Sequence, residues 1–201
     1  KLSDKCDRAN FIVGYPEGVK SRLGIRSWNA GECCGYASTQ NIDDVGFIRV
    51  LIDTLMSKIQ IDSNRIYATG MSNGGFMSYR LACELSDKIA AIAPVAASMT
   101  MPVCNPERPV PVMQFHSTQD ANIPAIGGVG DGLSTHYNPP LDSVLGSFGS
   151  KASCLSKNSI QSQPYSYSIW TSCSCDVVME YFLTTDGGHS WPGGTKTATG
   201  D

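Results

Sequence analysis

Arg65-Ile66-Tyr67-Ala68-Thr69-Gly70-Met71-Ser72-Asn73-Gly74-Gly75 is the stretch on which the reading of this chain turns. Ile66, Tyr67 and Ala68 make a short apolar, β-prone run that reads as a buried strand. From Asn73 the pattern becomes helical, with Met77, Leu81 and Leu85 each four residues apart on one face. Between strand and helix, Gly70-Met71-Ser72-Asn73-Gly74 matches Gly-x-Ser-x-Gly, the nucleophile elbow. A serine on so tight a turn lifts its hydroxyl clear of a sheet, and flanking glycines remove side chains that would block the turn. The Asn73 amide and the positive end of the helix would face negative charge developing on a bound acyl group. The plainer alternative is a glycine-rich turn whose serine caps a helix. A strand before and a helix after favour the elbow.

Outward from this stretch, the chain alternates strands and helices. Phe11–Tyr15 reads as a strand stopped by Pro16. Lys20–Gln40 is a long loop carrying Trp28-Asn29-Ala30-Gly31 and Cys33-Cys34-Gly35, long enough to suggest a binding or wall role. Asp43 opens an amphipathic helix with Val45, Ile48, Ile52, Leu55, Met56 and Ile59 on one stripe, and Asp43 and Asp44 suit its N-terminus as capping residues. Ile89–Ala97, Val110–Phe115 and Val177–Leu183 are further apolar runs, Leu141–Leu155 holds a short helix, and Ser156–Ser168 is polar and poor in aliphatics. Such alternation predicts an α/β fold with a mostly parallel sheet flanked by helices, in one domain.

Composition narrows the function classes. A net charge of −3 and no run of Lys and Arg argue against a nucleic-acid surface. No apolar run approaches the roughly 18 residues of a membrane span. The chain opens on Lys1 without a signal peptide, as a processed or trimmed product would. Eight cysteines, an even number, fit a disulfide-bearing secreted protein. Cys173-x-Cys175 raises a zinc site as rival, but no second Cys-x-x-Cys pair or histidine cluster accompanies it.

A nucleophilic serine needs a base, and the base needs an acid to hold its tautomer. Of three histidines, His189 lies in a glycine-bounded loop just past a strand and is the favoured base. His136 falls in the Gly/Pro-rich loop as a surface residue, and His116 ends an apolar strand as a hydrogen-bonded structural residue. Asp120 follows the Val110–Phe115 strand at the carboxyl edge of the sheet, where sites gather in parallel-sheet proteins. Asp131 and Asp186 compete for the role, Asp186 being very near His189 in sequence. Ser72, Asp120, His189 is also the chain order of the α/β-hydrolase triad.

The segments Trp28–Gly31, Cys33–Gly35, Asp43–Ile48, Tyr67–Gly75, Tyr79–Cys83 and Gly187–Gly194 together resemble secreted esterases of the feruloyl esterase and polyhydroxybutyrate depolymerase group, over nearly the whole chain. The resemblance implies an α/β-hydrolase fold and acyl-enzyme chemistry without cofactor or metal. It implies an extracellular ester substrate, either feruloyl or acetyl esters of plant polysaccharide or a polyhydroxyalkanoate. It implies Ser72 as nucleophile, Asp120 as orienting acid and His189 as base, with Trp191 beside the pocket; Trp28, in the long loop, is the other candidate for substrate binding. It also implies a disulfide between Cys154 and Cys173, with Cys175 as a close alternative to Cys173. From the even cysteine count we further expect Cys33 or, preferably, Cys34 to pair with Cys83, tying the Trp28 loop to the elbow helix. A third bond would involve Cys104 or Cys6. A catalytically silent member, binding carbohydrate or protein in the same cleft, is the alternative.

At its ends the chain departs from that group, whose members carry strands before Phe11–Tyr15, a His-Gly loop that supplies an oxyanion donor, and a closing helix. The expectation is therefore an internal piece of one α/β-hydrolase domain, residues 1–201, lacking the first strands and last helix. The elbow strand would sit mid-sheet in the complete domain, with an upstream segment or another chain completing the sheet.

Overall fold

A computed structural model describes residues 2–132 and 135–194. In chain order its elements are α1 (Leu2–Ala9), β1 (Val19–Lys20), β2 (Arg26–Ser27), α2 (Gly35–Thr39) and α3 (Asp44–Lys58), then β3 (Tyr67–Met71), α4 (Asn73–Glu84), β4 (Ala91–Val95) and β5 (Val112–Ser117). They continue with α5 (Leu141–Lys151), β6 (Ser156–Gln161), β7 (Tyr165–Thr171), a 3-10 turn at Ser174–Asp176 and β8 (Met179–Thr184). Six strands form one sheet in the order β3-β4-β5-β8-β7-β6. Pairing is parallel from β3 through β8 and antiparallel from β8 to β6, so the sheet is mixed. Ser72, Asp120 and His189 follow the carboxyl ends of the parallel strands β3, β5 and β8, with α4 and α5 between them in the chain, in an α/β fold.

The core forms where helix stripes meet the apolar rows of the strands. Met77, Leu81 and Leu85 are all buried, as their spacing predicts, and Phe76 and Tyr79 join them. Tyr79 meets Phe148 of α5 with ring centroids 5.7 Å apart. Val45, Ile48 and Ile52 of α3 are buried too. Burying an aliphatic or aromatic side chain of this size contributes about 1.5–3 kcal/mol. The predicted α3 stripe fades over its last turns, where Met56 and Ile59 stay 38% and 41% exposed.

Other expectations need correcting. Phe11–Tyr15 forms no strand, and Ile12 and Tyr15 stand largely in water. An apolar run makes a strand only when a neighbour satisfies its backbone, and the sheet begins at β3 instead. Conversely, the polar Ser156–Ser168 segment holds β6 and the start of β7. Hydroxyl pairs tie this hairpin, Ser156 to Thr171 and Ser159 to Ser168, both at 2.8 Å. Among the described residues β3 is a sheet edge, paired only with β4.

Cys154 is bonded to Cys173, as expected. Cys83 is bonded to Cys104 rather than to Cys34, because the end of α4 faces that loop with Cα atoms 4.9 Å apart. The sulfurs of Cys33 and Cys34 meet each other instead of reaching elsewhere. Cys6 and Cys175 are free. The Cys83–Cys104 and Cys154–Cys173 bonds close loops with sequence separations of 21 and 19. Replacing either pair by serine should cost about 2–4 kcal/mol in chemical denaturation. Non-reducing peptide mapping should recover those two pairs, and eight free thiols would refute the assignment.

The start of α3 yields a second expectation. Asp43 caps the helix, its Oδ1 accepting from the Gly46 amide at 2.8 Å. Asp44, expected to share that role, is buried, and its Oδ2 accepts from the Asn29 amide at 2.6 Å. Burial pushes its carboxyl upward from the ordinary value, against the Asn29 hydrogen bond and the nearby Arg80 charge. A carboxyl raised on folding contributes stability that is full below its unfolded pKa and is lost as pH rises through the folded one. Asp44→Asn keeps an oxygen for Asn29 but does not titrate. Unfolding free energies from pH 3 to 7 should therefore show wild type losing stability relative to this variant as pH rises. A flat difference would contradict the burial cost.

Candidate active site

Ser72 occupies the turn between β3 and α4 with φ 53° and ψ −124°. This is a strained conformation for a residue with a Cβ, and it persists only where the surroundings enforce it. Those surroundings are specific. The Ser72 amide donates to the Val95 carbonyl at 3.0 Å, pinning the turn to β4, while the Ser72 carbonyl accepts from Gly75 and Phe76 to start the helix. A Cβ on Gly70 would stand 2.5 Å from the Gly74 backbone, and one on Gly75 would stand 2.6 Å from the Ala97 side chain. Glycine is thus required at 70 and 75. A Cβ at Gly74, the second glycine of the motif, would meet nothing within 4 Å. The amides of Asn73 and Gly74 belong to the first turn of α4, where helical partners are lacking and the dipole favours an anion.

Asp120 and His189 come together at the carboxyl ends of β5 and β8. His189 Nδ1 lies 2.9 Å from Asp120 Oδ2 and 3.1 Å from Oδ1. Asp120 is buried, and its Oδ1 also accepts from the Ile123 amide at 2.8 Å. The rival acids Asp131 and Asp186 are exposed. The two loops are stitched together, since the Ser117 hydroxyl donates to the Asp186 carbonyl and Gln119 Nε2 donates to the Thr185 carbonyl at 2.8 Å. With Nδ1 on the carboxylate, Nε2 is the nitrogen left for proton transfer. Among the described residues Ser72 Oγ makes no hydrogen bond to His189, so only the acid–base half of the expected triad is closed.

A buried polar chain backs the acid, and sequence reading did not find it. Tyr79 donates its hydroxyl to Gln114 Oε1 at 2.8 Å, and Gln114 Nε2 lies 3.3 Å from His116 Nδ1. His116 Nε2 lies 2.7 Å from the Ile123 carbonyl and 3.4 Å from Asp120 Oδ2. A carbonyl can only accept, so Nε2 carries the proton and Nδ1 receives from Gln114. Burial, the largest influence, pulls His116 below its ordinary pKa and favours this neutral form. His116 is thus structural, as its position suggested. His136 is more than a surface residue, since it meets Phe76 edge-on at 5.4 Å and pairs with Asn138.

Trp28 and Trp191 are placed differently. Trp191 lines a cavity beneath the histidine loop together with Val95, His116, Ser117, Thr184 and Gly188. The Trp28 ring stacks on Phe47 of α3, with centroids 6.2 Å apart. It is the Trp28 backbone that meets the elbow, through both polar atoms of the Asn73 side chain. The only possible metal-ligand cluster among the described residues is Cys33, Cys34 and His136. Cys173 is engaged with Cys154, away from free Cys175.

No family model matches the chain. It is 40% identical over 123 residues to feruloyl esterase B of Piromyces equi, an alignment covering 59% of this chain and 22% of that protein. It is 28% identical over 217 aligned positions to NocK of Nocardia uniformis subsp. tsuyamanensis, a protein assigned as an esterase, covering 96% of this chain and 60% of that one. Among solved structures, an acetyl xylan esterase from Aspergillus awamori overlays 73% of this chain and 62% of its own at 14% identity, with a TM-score of 0.49. The chain therefore spans less than two thirds of each of these proteins. By sequence it is similar to a protein named as a feruloyl esterase and to one named as an esterase.

Proposed function

We propose that this chain is part of the catalytic domain of a secreted serine carboxyl-ester hydrolase acting on feruloyl or acetyl esters of plant polysaccharide. The observation that carries the reading is the strained turn at Ser72, a conformation with no use in a plain helix cap. The Asp120–His189 pair, in the chain order of an α/β-hydrolase, supports it. Relatives named as feruloyl and acetylxylan esterases favour polysaccharide esters over a polyester. The bonded cysteines support an extracellular setting.

In the mechanism, Ser72 Oγ attacks the ester carbonyl carbon while His189 Nε2 takes its proton. Asp120 holds the imidazole by Nδ1 and stabilises the cation that forms. The oxyanion receives a hydrogen bond from the Asn73 amide. Collapse breaks the ester bond, and His189 returns the proton to the leaving alcohol. Water, deprotonated by His189, then releases the carboxylic acid and restores Ser72. The exposed β3 edge is where an upstream segment or another chain would add strands and a second oxyanion donor.

Ser72→Ala or His189→Ala should lower turnover of p-nitrophenyl acetate by about 10⁴–10⁶, since such residues act as a unit. Asp120→Asn should cost less than either, yet still orders of magnitude. A fluorophosphonate probe should label Ser72. Near-normal hydrolysis by Ser72→Ala would overturn the mechanism. A chain that binds polysaccharide but does not label would instead be a catalytically silent member.

A further inference from the structure

Trp28 and Asn29 lie just past β2 and outside any strand, yet all four of their backbone polar groups are bonded to side chains of α3 and α4. The Trp28 amide donates to Asn73 Oδ1 at 2.7 Å, and Asn73 Nδ2 donates to the Trp28 carbonyl at 2.9 Å. The Asn29 amide donates to Asp44 Oδ2 at 2.6 Å, and Arg80 donates to the Asn29 carbonyl at 2.7 Å. Asn29 Nδ2 adds a bond to the Ile42 carbonyl at 2.9 Å. Asn29 and Asp44 are both 3% exposed, so the bond between them is made away from water.

The geometry points to Asn73 as a positioning residue for its own backbone amide, an inference that rests on the esterase reading of Ser72. Asn73 follows the strained serine directly and carries the amide that would meet the oxyanion. Its side chain grips Trp28 through both the amide and the carbonyl of that residue, as one strand residue grips another. This leaves the Asn73 backbone little freedom to rotate about Ser72. Trp28–Asn29 is in turn anchored to α3 through Asp44 and to α4 through Arg80. The amide is therefore aimed by a closed loop of bonds running elbow, Trp28, Asn29, α4 and back to the elbow. No side chain in this circuit needs to touch substrate.

An aimed amide acts on charge that develops in the transition state, so its loss should appear in kcat and not in KM. Losing an oxyanion donor outright costs about 10²–10³ in turnover, and a displacement of about 1 Å costs up to 10². Asn73→Ala frees the amide without deleting it. We expect kcat on p-nitrophenyl acetate, normalised to sites titrated with fluorophosphonate, to fall by about 10–10², with KM within about twofold of wild type. Asn73→Asp keeps the bond from the Trp28 amide but sets a carboxylate against its carbonyl, and should fall further. Amide hydrogen exchange supplies a readout that does not depend on activity, since the Trp28 amide should lose protection in Asn73→Ala while the interior of α4 keeps its own. Unchanged Trp28 protection would overturn the clamp. Lost protection with unchanged kcat per titrated site would overturn the positioning role. A wild-type protein that neither labels nor hydrolyses esters would instead overturn the esterase reading, leaving the clamp to be judged by exchange alone.

Discussion

Everything at the carboxyl edge of this sheet is arranged around a backbone strained at one residue. Ser72, at φ 53° and ψ −124°, stores strain of order 1–3 kcal/mol, and no local interaction of a serine side chain would hold it there. The strain is held from outside. Val95 fixes the Ser72 amide, the missing Cβ atoms at 70 and 75 let strand, helix and the Ala97 side chain close on one another, and the buried face of α4 anchors the far side of the turn. The same packing holds the half-buried serine at the point where strand turns into helix. Stability elsewhere in the core and reactivity at the elbow thus share one set of contacts.

The acid is treated in the opposite way, by satisfaction rather than strain. Asp120 is buried with His189, His116 and the Ile123 amide around it, and no buried side-chain nitrogen or oxygen among the described residues lacks a partner. Behind it, Tyr79 and Gln114 run the chain of bonds back to the helix that begins at the nucleophile. An incompletely bonded network in so dry a place would cost about 1–3 kcal/mol per orphaned group. A complete one fixes the tautomer of His116 and, through it, the groups that surround the carboxylate. The elbow helix therefore touches the site twice, once through Ser72 at its start and once through Tyr79 two turns later.

How much of this was legible in the sequence depended on how local the cause was. The elbow, the buried stripe of α4, and the strand ends carrying Asp120 and His189 are each set by residues a few places apart, and their patterns survive in the sequence. The β6–β7 hairpin was hidden because its outer strand is exposed on every residue and shows no apolar alternation. Phe11–Tyr15 misled in the other direction, since a run of apolar residues does not reveal whether a strand lies beside it. Cysteine pairing failed at Cys83 for the same reason, as its partner is set by where the Cys104 loop crosses α4. Asp44 looked like a cap because it neighbours one, although its carboxylate serves Asn29.

The same contrast of range separates the two halves of Asn73. Its backbone amide could be assigned from the pentapeptide alone, because position within the elbow decides it. Its side chain reaches Trp28, 45 residues earlier, and no pattern within the elbow announces that bond. In a Gly-x-Ser-x-Gly turn the residue after serine is free by motif, so its identity is left to whatever packs above the turn. Here that neighbour is a segment past the end of β2, with peptide groups that no further strand takes up. An amide side chain offers a donor and an acceptor side by side, and here it pairs with Trp28 as a residue of a neighbouring strand would. Asparagine at this position is thus explained by the fold around the elbow rather than by the chemistry within it.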